Sequence, residues 1–305
     1  MKSKQLLGNL SLITASFFWG STFVAQSVAS TLVSPFTFLA SRSLFGFLFL
    51  LILSIIFDLK KGIKNTGKEK KNLNLKPLLI GGISCGVVLT LSSSLQQFGM
   101  SDDNAGKAGF ITAMYILLVP ILGLFIGKKV SAKVWISVVL GVLGLYFLCV
   151  NKNLTLEAND IFLMLCAVSF SLHILVVDHF SPKVDSVKLS CIQFLVVFLL
   201  ASILAFIFET PTISGIVSAI LPILYAGIMS SGIAFTLQIV GQKYTPPAIA
   251  SLLMSLESVF GVLASMVVLN LFPTQREWIG SFIMFFAIIL SQLPQKAKNK
   301  QNFSV

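Results

Sequence analysis

Ten apolar runs of membrane-crossing length divide the sequence, at about 6–29, 36–57, 77–98, 107–126, 132–150, 158–178, 187–208, 214–240, 247–270 and 277–293. Crossing roughly 30 Å of hydrocarbon as a helix takes about 20 predominantly apolar residues. Turn-forming residues separate the runs: Ser34-Pro35, a Lys/Asn/Gly stretch at 58–76, Asp102-Asp103-Asn104, Ser181-Pro182, Thr210-Pro211, Thr245-Pro246-Pro247 and Phe272-Pro273. No ten-residue stretch alternates strictly, and lipid offers no partner to open backbone groups, so every run is expected to be helical. Only 11% of the residues are charged and 56% are hydrophobic, against about 25% charged in an average soluble chain. That is too little charge to coat a soluble core. The expected fold is an all-α membrane protein with ten transmembrane helices.

The net charge of +11 does not point to nucleic acid, because the lysines fall between apolar runs rather than on basic faces interleaved with aromatics. With the N-terminus placed in the cytoplasm, 18 of the 22 Lys and Arg residues lie on that side. Lys107, Lys152 and Arg276 lie opposite, and Arg42 lies within a span. The bias predicts a multi-pass protein of a bacterial plasma membrane with both termini cytoplasmic. Lys2 and Lys4 followed by about 24 apolar residues are read as a first span rather than a cleaved signal. The lysines of 58–76 suit anionic lipid headgroups. Cys85, Cys149, Cys166 and Cys191 stand singly in apolar runs, as small hydrophobic fillers.

The chain reads twice. Leu95-Gln96 with Gly99 recurs as Leu237-Gln238 with Gly241, 142 residues on, and Trp135-Ile136 recurs as Trp278-Ile279. Ala15–Gln26 matches Ala167–Asp178 loosely. The expected domains are therefore a first five-helix repeat over 1–150 and a second over 151–305, the latter ending in a cytoplasmic tail. Five is odd, so the second repeat enters the membrane inverted. Inverted repeats create two near-equivalent arrangements around a midplane site, the basis of alternating access.

Phe17-Phe18-Trp19-Gly20-Ser21-Thr22-Phe23, then Phe110-Ile111-Thr112-Ala113-Met114-Tyr115 with Val119-Pro120, and Leu256-Glu257-Ser258-Val259-Phe260 resemble the signatures of EamA-type permeases of the drug/metabolite transporter superfamily. The resemblance covers nearly the whole chain. It implies a cavity lined by spans one, three and four of one half and six, eight and nine of the other, with export of amino acids, other metabolites or drugs. Ser258 stands where the motif has proline, and Leu269-Asn270 where a Gly-Glu pair often closes the span.

Polar groups within the apolar runs are the informative positions, since a charge at a helix centre costs roughly 2.5–3.5 kcal/mol on insertion scales. Glu257 lies near mid-membrane with Ala250, Met254 and Gly261 at helical spacing around it. It can hold a substrate amine or cycle a proton, or be a carboxyl paired between helices. Tyr115 occupies its repeat position. Arg42 suits a substrate carboxylate, but equally snorkelling or pairing between helices. His173 suits a cavity position or a bond to a neighbouring carbonyl. Trp19, Thr22 and Gln26 share a face of span one; Thr90, Ser93 and Gln97 share one of span three; Thr112 joins Tyr115 on span four; Ser231 and Gln238 extend the set from span eight. Taken singly each is also a candidate for interhelical hydrogen bonding. Together they predict a moderately polar chamber for a small-molecule substrate. Small residues at Gly82 and Gly86, Gly123 and Gly127, and Gly227 and Ser231 predict close helix crossings. No HExxH or Asp-rich metal pair is present, so neither enzyme chemistry, metal nor cofactor is expected. An intramembrane lipid-modifying enzyme and a passive channel are the alternative classes.

Overall fold

A computed structural model describes residues 2–64, 75–99, 105–150 and 158–293. Asp102, Asp103, Asn104, Lys152, the lysines at 68, 70 and 71 and those at 296, 298 and 300 lie outside these residues, as do the side chains of Lys61, Lys64 and Lys107.

The first half comprises α1 (Lys2–Ser30), α2 (Pro35–Lys64), α3 (Leu75–Gly99), α4 (Ala105–Thr112), α5 (Tyr115–Phe125) and α6 (Ala132–Cys149). The second comprises α7 (Asp160–Phe180), α8 (Ser186–Phe208), α9 (Ile213–Ser218), α10 (Ile220–Tyr225), a π-helical segment (Ala226–Ala234), α11 (Phe235–Gln242), α12 (Pro247–Met254), α13 (Leu256–Leu269) and α14 (Gln275–Gln292). Among the described residues, nine helical segments are long and apolar enough to cross a membrane. The tenth expected run is helical as α14, but its first turn carries Arg276 and Glu277 and it falls short of the same standard. Large apolar side chains such as Phe125, Phe206, Leu221 and Phe282 are exposed on the outside of the bundle, a surface that water would not tolerate and lipid does.

Three spans expected to be continuous are broken. The eighth breaks at Ala219, three residues before Pro222, which has no backbone donor and whose ring cannot be accommodated by an unbroken preceding turn. The fourth breaks at Ala113-Met114, where backbone bonds tighten to the i−3 carbonyl. The ninth breaks at Ser255, which needs no proline: the hydroxyls of Ser251 and Ser255 donate to Ala248 O and Leu252 O at 3.0 and 2.8 Å and bend the helix there.

The contacts between halves are exchangeable. With broken helices counted as one span each, the first packs on the ninth as the sixth packs on the fourth. The third packs on the sixth as the eighth on the first, and the third on the seventh as the eighth on the second. Second with seventh and fifth with tenth (α6 with α14) pair with their own counterparts. This is the contact pattern of a two-fold axis. At the α6–α14 crossing a Cβ on Gly280 would lie 2.6 Å from Gly144 O and one on Gly144 2.9 Å from Gly280 O, so only glycine permits this approach. Gly82 and Gly86 meet α8, and Gly227 meets α2, as expected. Gly123 and Gly127 do not form a crossing: Gly127 has φ +79 and ends its span in a turn, and Asn270, φ 56, ends the counterpart span likewise.

The lysine-bearing end is tied across the halves. Lys128 pairs with Asp178 at 2.6 Å and Lys188 with Asp58 at 2.7 Å. Asn9 donates to Gln292 Oε1 at 2.6 Å and accepts from Thr245 Oγ1 at 3.0 Å. Lys243 donates to Val184 O at 3.0 Å; burial lowers its pKa, opposed by the charge of Asp185. At the other end Glu209 accepts from Phe36 N, Thr37 N and Thr37 Oγ1 at 2.7, 2.8 and 2.7 Å, a carboxylate on the N-terminus of α2.

Candidate functional site

Between the halves lies a half-open chamber. Trp19, Thr22 and Gln26 of α1, Ser93 of α3, Thr112 and Tyr115 at the break of the fourth span, His173 of α7, Gln238 of α11 and Glu257 of α13 all line it. Gly20, in the α1 signature, sets how close this wall comes: a Cβ there would sit 2.6 Å from Glu257 O, so α1 and α13 touch by backbone.

Three expected residues do not line the chamber. Thr90 donates to Gly86 O of its own helix at 2.8 Å. The face that α3 presents is Leu89, Ser93 and Gln96, rotated from the expected stripe, so Gln96 lines the chamber in place of Gln97. Ser231 is buried beside α2, where a Cβ on Gly46 would lie 2.6 Å from the Ser231 Cβ. Its neighbour Ser230 takes the lining position. The π-helical segment explains the shift: it turns less per residue than an α-helix, so the seven-residue spacing from Ser231 to Gln238 no longer marks one face. Arg42 also lines the chamber, and Phe23, Phe170, Ile174, Phe235 and Met254 supply apolar wall.

The centre of the chamber carries the repeat. Tyr115 Oη donates to Glu257 Oε1 at 3.2 Å across 142 residues of sequence. The same separation relates Gln96 to Gln238, Ser93 to Phe235, Thr112 to Met254, and the helix breaks at Ala113 and Ser255. Tyr115 opens α5 and Glu257 lies in the first turn of α13, so each member of the pair stands at the start of a half-helix.

Around this pair the polar groups are incompletely satisfied. His173 Nε2 meets Gln193 Oε1 at 3.1 Å, and its ring stands edge-on to Phe235. Trp19 Nε1, Gln238 Oε1 and Arg42 Nε are buried without a hydrogen-bond partner. Each such group costs about 1–3 kcal/mol, a cost that a bound ligand of complementary polarity removes. Among the described residues, no three His, Cys, Asp or Glu side chains converge to hold a metal ion.

The sequence profile of the EamA-like transporter family matches residues 6–150 and again 158–293. An uncharacterized transporter of Archaeoglobus fulgidus is 30% identical over 291 residues, covering 95% of this chain and 87% of that protein. The uncharacterized transporter YoaV of Bacillus subtilis is 22% identical over 232 residues, covering 74% and 76%. A protein crystal structure superposes with a TM-score of 0.76 at 19% identity, covering 96% of this chain and 97% of that one, and so shares the fold.

Proposed function

Because the chain belongs to the EamA-like transporter family, whose profile matches it once in each half, we propose that it carries a small zwitterionic metabolite of amino-acid size across a bacterial plasma membrane by alternating access, in the export direction that its signature motifs imply. The observation that carries this reading is the Tyr115–Glu257 hydrogen bond inside the chamber. It joins repeat-related residues at the centre of a cavity both halves line. A group held there is contacted by both repeats, so it stays bound while one repeat tilts against the other. The lysine-bearing end faces the cytoplasm in this reading, with α14 as the tenth span. The contacts Lys128–Asp178, Lys188–Asp58 and Asn9–Gln292 hold that end together and part when the chamber opens there.

Glu257 receives the substrate's ammonium group, and Trp19 Nε1 and Gln238 Oε1 supply the neutral donor and acceptor that orient it. The test is flux of labelled amino acids in cells with and without the gene, followed by purified protein in proteoliposomes. Gene-dependent flux is the expected result. Proteoliposomes that move no amino acid in either direction overturn the zwitterion reading.

A further inference from the structure

We infer that Arg42 is the anion subsite of this chamber, the group that binds the substrate's carboxylate. The inference rests on the transport reading above and assigns the chemistry of one pole of the same site.

Arg42 is the one residue that α2 contributes to the chamber wall; α2 is otherwise occupied in packing against α8 and the π-helical segment. Its guanidinium forms no hydrogen bond and no ion pair among the described residues. It stands 5.8 Å from the Phe38 ring centroid, and its Nε is buried without a partner. A cation in low dielectric without a directly paired counter-charge costs several kcal/mol, and neither Glu257 in the same chamber nor Glu209 forms an ion pair with it. Glu257 is bonded by Tyr115. Glu209 is spent on the N-terminus of α2 through Phe36 and Thr37. The buried Nε and the place of the half-buried side chain in the chamber wall favour the chamber over snorkelling to headgroups. What remains is an anion brought by the ligand. A guanidinium presents a planar fork that matches a carboxylate in two parallel hydrogen bonds. Arg42 and Glu257 thus give the chamber a cationic and an anionic pole, an arrangement that selects a carboxylate and an ammonium on one small molecule and rejects an amine alone.

The test uses the purified full-length protein and the twenty common L-amino acids, each beside its carboxamide, which keeps the ammonium and removes the negative charge. Thermal stabilisation gives binding, and proteoliposome counterflow gives transport. In the wild type at least one amino acid stabilises the protein, and its carboxamide binds about ten- to hundredfold more weakly, the loss of one charge-assisted contact. Arg42→Gln brings the acid down to the level of its amide, and Arg42→Lys restores part of the difference. Equal binding of acid and amide by the wild type overturns the assignment, and needs no variant to fold. So does an Arg42→Gln protein that still prefers the acid. If amides or amines are carried and acids are not, transport stands and the anion subsite falls. If none of the forty compounds binds or moves, the zwitterion reading falls and the subsite with it.

Discussion

Where the first half presents Ser93, Thr112 and Tyr115 to the chamber, the second presents Phe235, Met254 and Glu257 at the repeat-related positions. The backbone frame is shared: both fourth-position spans break at the same point, and both end in a left-handed residue. The chemistry on that frame is not. A second contrast runs along the membrane normal. Gln26 lines the chamber close to the end of α1, whereas its loose counterpart on α7, Asp178, is bound to Lys128. The first difference makes the two sides of a nearly symmetric chamber chemically unlike. The second shows equivalent positions in unlike environments at the two ends. In the transport reading proposed above, repeat symmetry supplies the motion and departures from it supply the selectivity.

The sharpest way to break the contrast is to neutralise its charged member. Glu257→Gln keeps the volume and the acceptor for Tyr115 but removes the negative pole. Losing a hydrogen bond to a charged group costs about 1.5–3 kcal/mol, so flux in proteoliposomes falls roughly ten- to hundredfold while membrane insertion and monodispersity are retained. Wild-type flux across the pH range would remove Glu257 from the mechanism. Copying the second half's bulk into the first comes next. Ser93→Phe places an aromatic ring opposite Phe235, and overpacking of this kind typically costs about 1–3 kcal/mol. Substrate affinity drops in a thermal-shift titration, most for the largest substrates. An unchanged size preference would mean that Ser93 borders space the substrate does not use.

The spans were legible because hydrocarbon thickness dictates their length, and the correspondence of Tyr115 with Glu257 was legible because a constant repeat offset converts sequence into symmetry, whereas their hydrogen bond was not. The faces of individual helices were less so. Polarity placed Thr90 and Gln97 in the chamber, but Thr90 satisfies its hydroxyl on its own helix, and a helix that is apolar on most sides does not announce which stripe faces inward. Ser231 was misphased by a π-helical segment that no residue pattern in Ala226–Ala234 specifies. Arg42 was visible as a charge, whereas its place in the chamber wall and the unpartnered Nε depend on how closely α2 approaches the second half.

Tyr115→Phe sharpens the comparison with less force than the charge change. It removes the hydroxyl that reaches Glu257 at 3.2 Å and leaves the ring and the helix break in place. The carboxyl keeps access to the substrate, so flux persists, lowered about three- to tenfold, a loss of about 0.5–1.5 kcal/mol. Rates equal to wild type, measured at saturating and limiting substrate, would show that the pair is structural.

The smallest effect is expected at the tied end. The Lys128 and Asp178 side chains are 44% and 11% exposed, so water and salt screen much of their attraction. A double-mutant cycle with Lys128→Ala and Asp178→Ala, read by thermal stability in detergent, is expected to give a coupling of about 0.2–1 kcal/mol that shrinks with added salt. Its direction matters more than its size. If this pair holds the lysine-bearing end shut, its loss favours the arrangement open at that end, and a thiol-reactive probe applied from that side labels a Gln238→Cys reporter faster in the double variant than with the pair intact. Equal labelling rates would assign the closure of that end to the Asn9–Thr245–Gln292 network instead, whose bonds are less exposed and need no counter-ion.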